Sequence, residues 1–179
     1  MSDLESRCLD AFPAWLRTLA DDARAIASVL EWETLPEPTR RKLAAALNYL
    51  FKSLDLIPDG IEDLGFVDDA FVLRVAAAAA KECGGVEASQ AVVRLAEEAA
   101  LVAELLGDDH ARLERYVAGL ESIAARGRSV DDIVTDTSVR AALVSEVRSW
   151  ADTYQAPTFA RDEKNLVKLR SFLAKKLPA

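Results

Sequence analysis

The residues on which most active sites and cross-linked folds depend are scarce in this sequence. One histidine, His110, and two cysteines, Cys8 and Cys83, are all that its 179 residues supply. That count excludes a histidine-rich metal phosphohydrolase, and with it a carboxylate-bridged di-iron bundle, which needs Glu-x-x-His pairs. The cysteines have no paired spacing and no neighbouring histidine, so neither a disulfide framework nor a zinc site is expected, and a reducing, cytoplasmic setting is the natural reading. His110 stands beside Asp108 and Asp109 at a helix start, the place of a solvated side chain rather than of a general base paired to a thiol. There is no Gly-rich phosphate loop and no G-x-S-x-G elbow. Positive charge is short as well: 22 Lys and Arg face 30 Asp and Glu, a net charge of -8. Affinity for nucleic acid comes largely from cations on phosphates, so no nucleic-acid partner is expected, and adhesion to anionic lipid is disfavoured. Long apolar runs are missing too. The nearest approach to a membrane span, Ala70 to Ala80, is far shorter than the roughly 18 residues required and contains Arg74. Met1 to Asp10 carries acidic residues and no apolar core, so no secretory signal is read there.

Helix formers are plentiful. Ala, Leu, Glu and Arg dominate, and apolar residues recur at helical rather than alternating spacing. From about Asp3 to Trp32 the stripe is Phe12, Trp15, Leu16, Leu19, Ala23, Ile26, Val29 and Leu30, with Pro13 marking a kink or the first turn of a second helix. Pro36 and Pro38 break the pattern. Leu43, Ala46, Leu47, Leu50, Phe51 and Leu54 then share one helix face, and Pro58 predicts an end near Leu54 or Asp55. Arg40, Arg41 and Lys42 fall on that helix's first turn, where solvent would screen them from the dipole. From Ala70 a helix apolar almost all round runs to Gly84-Gly85. Such a helix is buried, and its alanines permit close approach by neighbours. Further helices are expected over Val86–Leu106, over Leu113–Ala124 up to Gly127, from Ser129-Val130-Asp131-Asp132 (a capping sequence with Asp in place of Glu), from about Thr135 to Pro157, and over Asp162–Lys176. The sum is an all-α, single-domain bundle spanning residues 1–179, with about seven helices around a central Ala-rich buried helix. No internal repeat or low-complexity linker divides it.

The stretch from Leu54 to Asp69 stands apart, because it gathers five aspartates, one glutamate, one proline and two glycines between two apolar helices. Asp59-Gly60 is a turn signal and Gly65 a breaker. Asp68 and Asp69 fall where the next helix begins, and carboxylates there cap free N–H groups and suit the positive end of the dipole. Arg74 is the only charge in the buried stretch and needs a partner, for which Asp55 or Asp59 is the expectation. Asp55, Pro58, Asp59, Gly65, Asp68, Asp69 and Arg74 are thus the candidate structural or binding residues.

Tyr49, Leu50, Asp55, Leu56, Ile57, Pro58, Asp59, Ile61, Gly65, Asp68 and Asp69 match the pattern Y-L-x-S-P-I-D-L-I-P-D-x-I-P-x-x-G-x-x-D-D. On those residues the segment from about 40 to 80 resembles the YkvA-like family, the domain of unknown function 1232, with helical extensions on both sides. The pattern's Ser-Pro-Ile reads Ser53-Leu54 here, shifted and without proline, and its second proline is Glu62. The hydrophobic, membrane-associated flank frequent in that family is missing. The resemblance implies a helical core and supplies no activity.

Two chemistries fit the acidic elbow. In the first, its carboxylates cap helices and neutralise Arg74 or Lys52. In the second, Asp55, Asp59, Asp63, Asp68 and Asp69 offer oxygen ligands to a hard divalent cation, although Ile57 occupies a position where an EF-hand loop needs a ligand. The last helix is locally basic, with Arg161, Lys164, Lys168, Arg170, Lys175 and Lys176. It suits an acidic partner or a membrane surface, or simply forms a solvated face over the core. The reading that follows is a non-catalytic interaction or scaffolding module with an unidentified protein partner and no cofactor. It would act through the elbow surface or the basic helix. A metal-dependent enzyme or sensor is the alternative, and peripheral membrane association a further one.

Overall fold

The computed structural model describes all 179 residues, and every regular element in it is helical. α1 (Asp3–Leu30) opens with a capping box in which Ser2 Oγ accepts from the Glu5 N–H at 3.2 Å and Glu5 accepts from the Ser2 N–H at 2.6 Å. Pro13 lies inside this single helix and starts no second one. The flanking Phe12 and Trp15 are buried, and Phe12 sits 5.2 Å from Phe71 and 6.0 Å from Phe159, ring centre to ring centre. Packing of that kind offsets the hydrogen bond that a proline inside a helix forfeits.

α2 (Glu37–Tyr49) begins with Pro38 in its first turn, as the twin prolines predict. Its basic first turn is not a solvent-screened mismatch. Arg40 is buried, and its guanidinium donates to the carbonyls of Leu30 (3.3 Å) and Trp32 (2.6 Å), taking up acceptors that the end of α1 leaves free. Arg41 and Lys42 instead share the Glu121 carboxylate. α2 also stops at Tyr49, short of the expected Leu54 or Asp55, and Leu54 is 79 % exposed.

α3 (Val67–Cys83) packs against α1, α2, α4 and α5, with Gly84 and Gly85 at positive φ closing its C-terminal end. Residues Val67 to Ala77 are buried in an unbroken run, but Ala78 and Ala79 are only half-buried. α4 (Gln90–Leu106) takes Ser89 as its cap and leads through a short 3-10 turn into α5 (His110–Gly119). The helix expected to continue through Ala124 ends at Gly119, a residue that weakens helix interiors, and becomes a 3-10 turn over Leu120–Ser122.

α6 (Val130–Thr135) starts with the Ser129–Asp132 capping box foreseen from the sequence. α7 (Thr137–Thr153) is capped by Asp136, and α8 (Glu163–Lys176) by Asp162. Leu166, Leu169 and Leu173 of α8 are buried against the rest, so its apolar face belongs to the core. All these helices contribute to one contiguous cluster of 51 buried apolar residues, which makes the molecule a single-domain bundle. No helix is long and apolar enough to cross a membrane.

Candidate functional site

The elbow joining α2 to α3 is built around Asp68. Its Oδ2 accepts from the Tyr49 hydroxyl at 2.6 Å and from the Ile57 N–H at 3.1 Å, while the Tyr49 oxygen accepts from the Leu56 N–H at 2.9 Å. Leu56 and Ile57 are themselves buried. The motif residues Tyr49, Leu56, Ile57 and Asp68 therefore form one relay that turns the chain back on itself, which is why α2 stops where it does. Pro58 stays exposed at the head of a turn closed by Ile61 N–H to the Pro58 carbonyl at 3.0 Å. Gly65 sits so close to the Asp59 carbonyl that a Cβ there would collide with it.

Asp68 and Asp69 are not the expected caps. The N-cap of α3 is Phe66, in left-handed conformation at φ 64° and with no side-chain cap. Its ring packs 5.3 Å from Tyr154, the residue after α7. The two carboxylates belong to the first turn and point inward, 0 % and 3 % exposed. One oxygen of each, Asp68 Oδ1 and Asp69 Oδ2, is buried without a hydrogen-bond partner. Burial pushes the carboxyl of Asp69 well above the ordinary range, with the charges of Asp68, Asp59 and Asp55 adding to it. Burial also raises Asp68, against the lowering effect of Tyr49 and Ile57. Asp55 is pushed up to about 6, first by burial and then by Asp68 and Asp59. Asp59 is raised by burial.

Asp63 leaves this group. Its carboxylate accepts from the Ala160 N–H at 3.1 Å, tying the elbow to the segment before α8, and Lys168 donates to the Glu62 carbonyl at 3.2 Å. Of the five aspartates named as cation ligands, Asp63 thus stands apart from the other four, and no three Asp, Glu, His or Cys groups are arranged to hold a metal ion.

The expected pairing of Arg74 with Asp55 or Asp59 is also replaced. Its side chain points to α1 and α4, where the guanidinium meets Asp22 at 3.4 Å and Glu98 at 2.8 Å and lies 4.0 Å over the Trp15 ring. Arg94 closes the network, 2.6 Å from Asp22 and 2.9 Å from Glu98. Arg74 is fully buried, and desolvation lowers it to about 10 despite these acids, so it stays charged. Lys52 bonds to the Tyr116 hydroxyl at 2.7 Å rather than to an elbow aspartate.

A groove with a mostly apolar lining lies elsewhere. Between α3, α4 and α5 runs a groove of about 480 Å³, floored by Ala76, Ala79, Ala96, Ala99, Ala100 and Ala103 and walled by Val75 and Val117. Lys42, Glu82, His110, Glu114 and Glu121 stand around its mouth. Glu121 is neutralised by Lys42 at 3.1 Å and Arg41 at 3.3 Å, whereas Glu82 and Glu114 meet no Lys or Arg. His110 Nδ1 is 3.7 Å from the Glu114 carboxylate, too far for a hydrogen bond. Sequence reasoning took the alanines of α3 for buried packing and gave those of α4 no role. The signal was the recurrence of alanine at i, i+3, i+4 and i+7 from Ala96 and at i, i+3 from Ala76: side chains too small to fill the space between two helices.

No curated protein and no solved structure matches the chain. Residues 39–74, which cover most of α2, the elbow and the first half of α3, match the model of the family described as protein of unknown function DUF1232, and the remaining helices lie outside the match.

Proposed function

We propose that this protein is a cytoplasmic, non-catalytic interaction module that receives an amphipathic helix of a protein partner in the alanine-lined groove. The observation that carries the reading is the groove itself: a largely apolar trough whose floor is made of methyl groups. A helix presenting Leu or Val at i, i+3, i+4 and i+7 supplies the larger side chains that such a floor lacks. The rim sets the partner's charge. Glu82 and Glu114 carry unneutralised carboxylates, so the fitting helix has Lys or Arg beside its apolar stripe. No Ser, Thr, Cys, Tyr or Asp lines the groove, and its single histidine has no acid within hydrogen-bond distance, a lining suited to holding a surface rather than to moving a proton or attacking a carbonyl. On the surfaces first suggested by the sequence, Asp63 of the elbow, Lys168 of α8 and Arg161 just before it are held in internal bonds.

A synthetic leucine–lysine amphipathic helix, titrated into the protein by calorimetry, tests the reading. Binding to the parent chain is expected, with loss in Ala100→Trp, which fills the groove from an exposed position, and weakening in Glu114→Lys. A glutamate-flanked version of the peptide should bind poorly. Equal binding by the Ala100→Trp variant, or no binding by the parent, would overturn it. So would sedimentation showing that the groove is filled by a second copy of the chain.

A further inference from the structure

The buried diacid at the start of α3 has no role in the groove. Asp68 Oδ1 and Asp69 Oδ2 lie side by side in sequence, both without exposure to water and without a donor. One ionised carboxylate is supported here: Asp68 receives the Tyr49 hydroxyl and the Ile57 N–H, and the first turn of a helix favours one negative charge. A second is not. The groups facing Asp69 are Asp68, Asp55 and Asp59, all acidic, and Tyr154 just after α7, itself raised by burial and by Asp69 and Asp59. Tyr49, from α2, is likewise held neutral by burial and by both aspartates. Lys52 acts on Asp55 and is spent on Tyr116. A buried ion with no partner takes a proton or a cation instead. Because no three acidic groups are arranged to hold a metal, the proton is the economical choice.

We infer that the elbow is a proton-held latch: Asp69 keeps a proton while Asp68 is ionised, and loss of that proton loosens residues 50–66 from the first turn of α3. The folded state favours the protonated acid. The penalty for ionising it is therefore absent below the ordinary carboxylate pKa, grows as pH rises above that value, and is complete once pH passes the raised folded value. Stability should fall as pH climbs, the reverse of what a salt-bridged aspartate gives. The moving part is the elbow, since Leu56 and Ile57 N–H groups hang on the Tyr49–Asp68 relay beside the second charge.

Thermal melts of the full chain in chelator, from mildly acidic to mildly alkaline buffer, test the latch when compared with Asp69→Asn, a neutral isostere of the protonated acid. The parent's melting temperature is expected to fall with pH more steeply than the variant's. In the parent, Leu56 and Ile57 amide exchange should accelerate beyond its intrinsic pH dependence, while the variant should lose that excess. If Asp69→Asn does not fold, infrared spectroscopy of the parent decides: a protonated carboxyl band at neutral pH that disappears in alkali is expected. Absence of that band, a pH-independent gap between parent and variant, or magnesium or calcium raising the parent's melting temperature but not the variant's would each overturn the latch, the last by putting a cation where the proton is placed.

Discussion

Arg74 and Tyr49 illustrate how single side chains in this molecule work as connectors. Arg74 is a full positive charge inside an apolar helix. Its burial is tolerable because α1 and α4 each deliver a carboxylate and Trp15 offers a ring face. Replacing it with methionine strands Asp22 and Glu98, partly relieved by Arg94, and should cost about 3–5 kcal/mol, as when a buried pair loses one partner. Urea unfolding checks this, and Asp55→Asn should leave the penalty unchanged because Asp55 is not part of that network. Tyr49→Phe removes one hydroxyl that donates to Asp68 and accepts from Leu56. A loss of about 1–3 kcal/mol is expected, the cost of leaving buried partners unsatisfied. A loss as small as that of an exposed tyrosine would mean that the relay does not hold the elbow.

At the scale of elements, the two glycines of the elbow have different burdens. A methyl group at Gly65 meets the Asp59 carbonyl, and one at Gly60 meets nothing. Gly65→Ala should destabilise by about 1–3 kcal/mol through overpacking, and Gly60→Ala should fall within about 0.5 kcal/mol of the parent. Paired chemical denaturation curves test the contrast. Element identities were legible because each rests on local signals: the Ser129–Asp132 box, the Gly84-Gly85 stop and the Pro36–Pro38 break are each short-range chemistry. Boundaries set by distant partners were not. Periodicity carries α2 on to Leu54, yet the chain turns at Tyr49 because Asp68, nineteen residues on, captures its hydroxyl. Pro13 read as a kink or the first turn of a second helix, and α1 runs through it as one helix with Phe12, Phe71 and Phe159 clustered beside it. Nor could spacing tell that Asp68 and Asp69 turn inward while Asp63 reaches the segment before α8.

Across the whole molecule, the segment that matches the DUF1232 model spans most of α2 and the first half of α3, and the flanking helices close the core over it. α1 and α4 satisfy Arg74, while Tyr154 just after α7, the Ala160 N–H and Lys168 of α8 clasp the elbow. The closure is incomplete along one side, where alanines of α3 and α4 face α5 across open space. A sequence read for burial sees the alanines of α3 as interior, since only the placement of three helices decides whether small side chains are covered. The most direct test of the groove as the binding surface is methyl NMR of the alanine-labelled protein as the leucine–lysine peptide is added. Shifts concentrated at Ala76, Ala79, Ala96, Ala99, Ala100 and Ala103 are expected. Shifts confined to alanines of the elbow side and of α8, such as Ala70 and Ala174, with the groove unmoved, would contradict it.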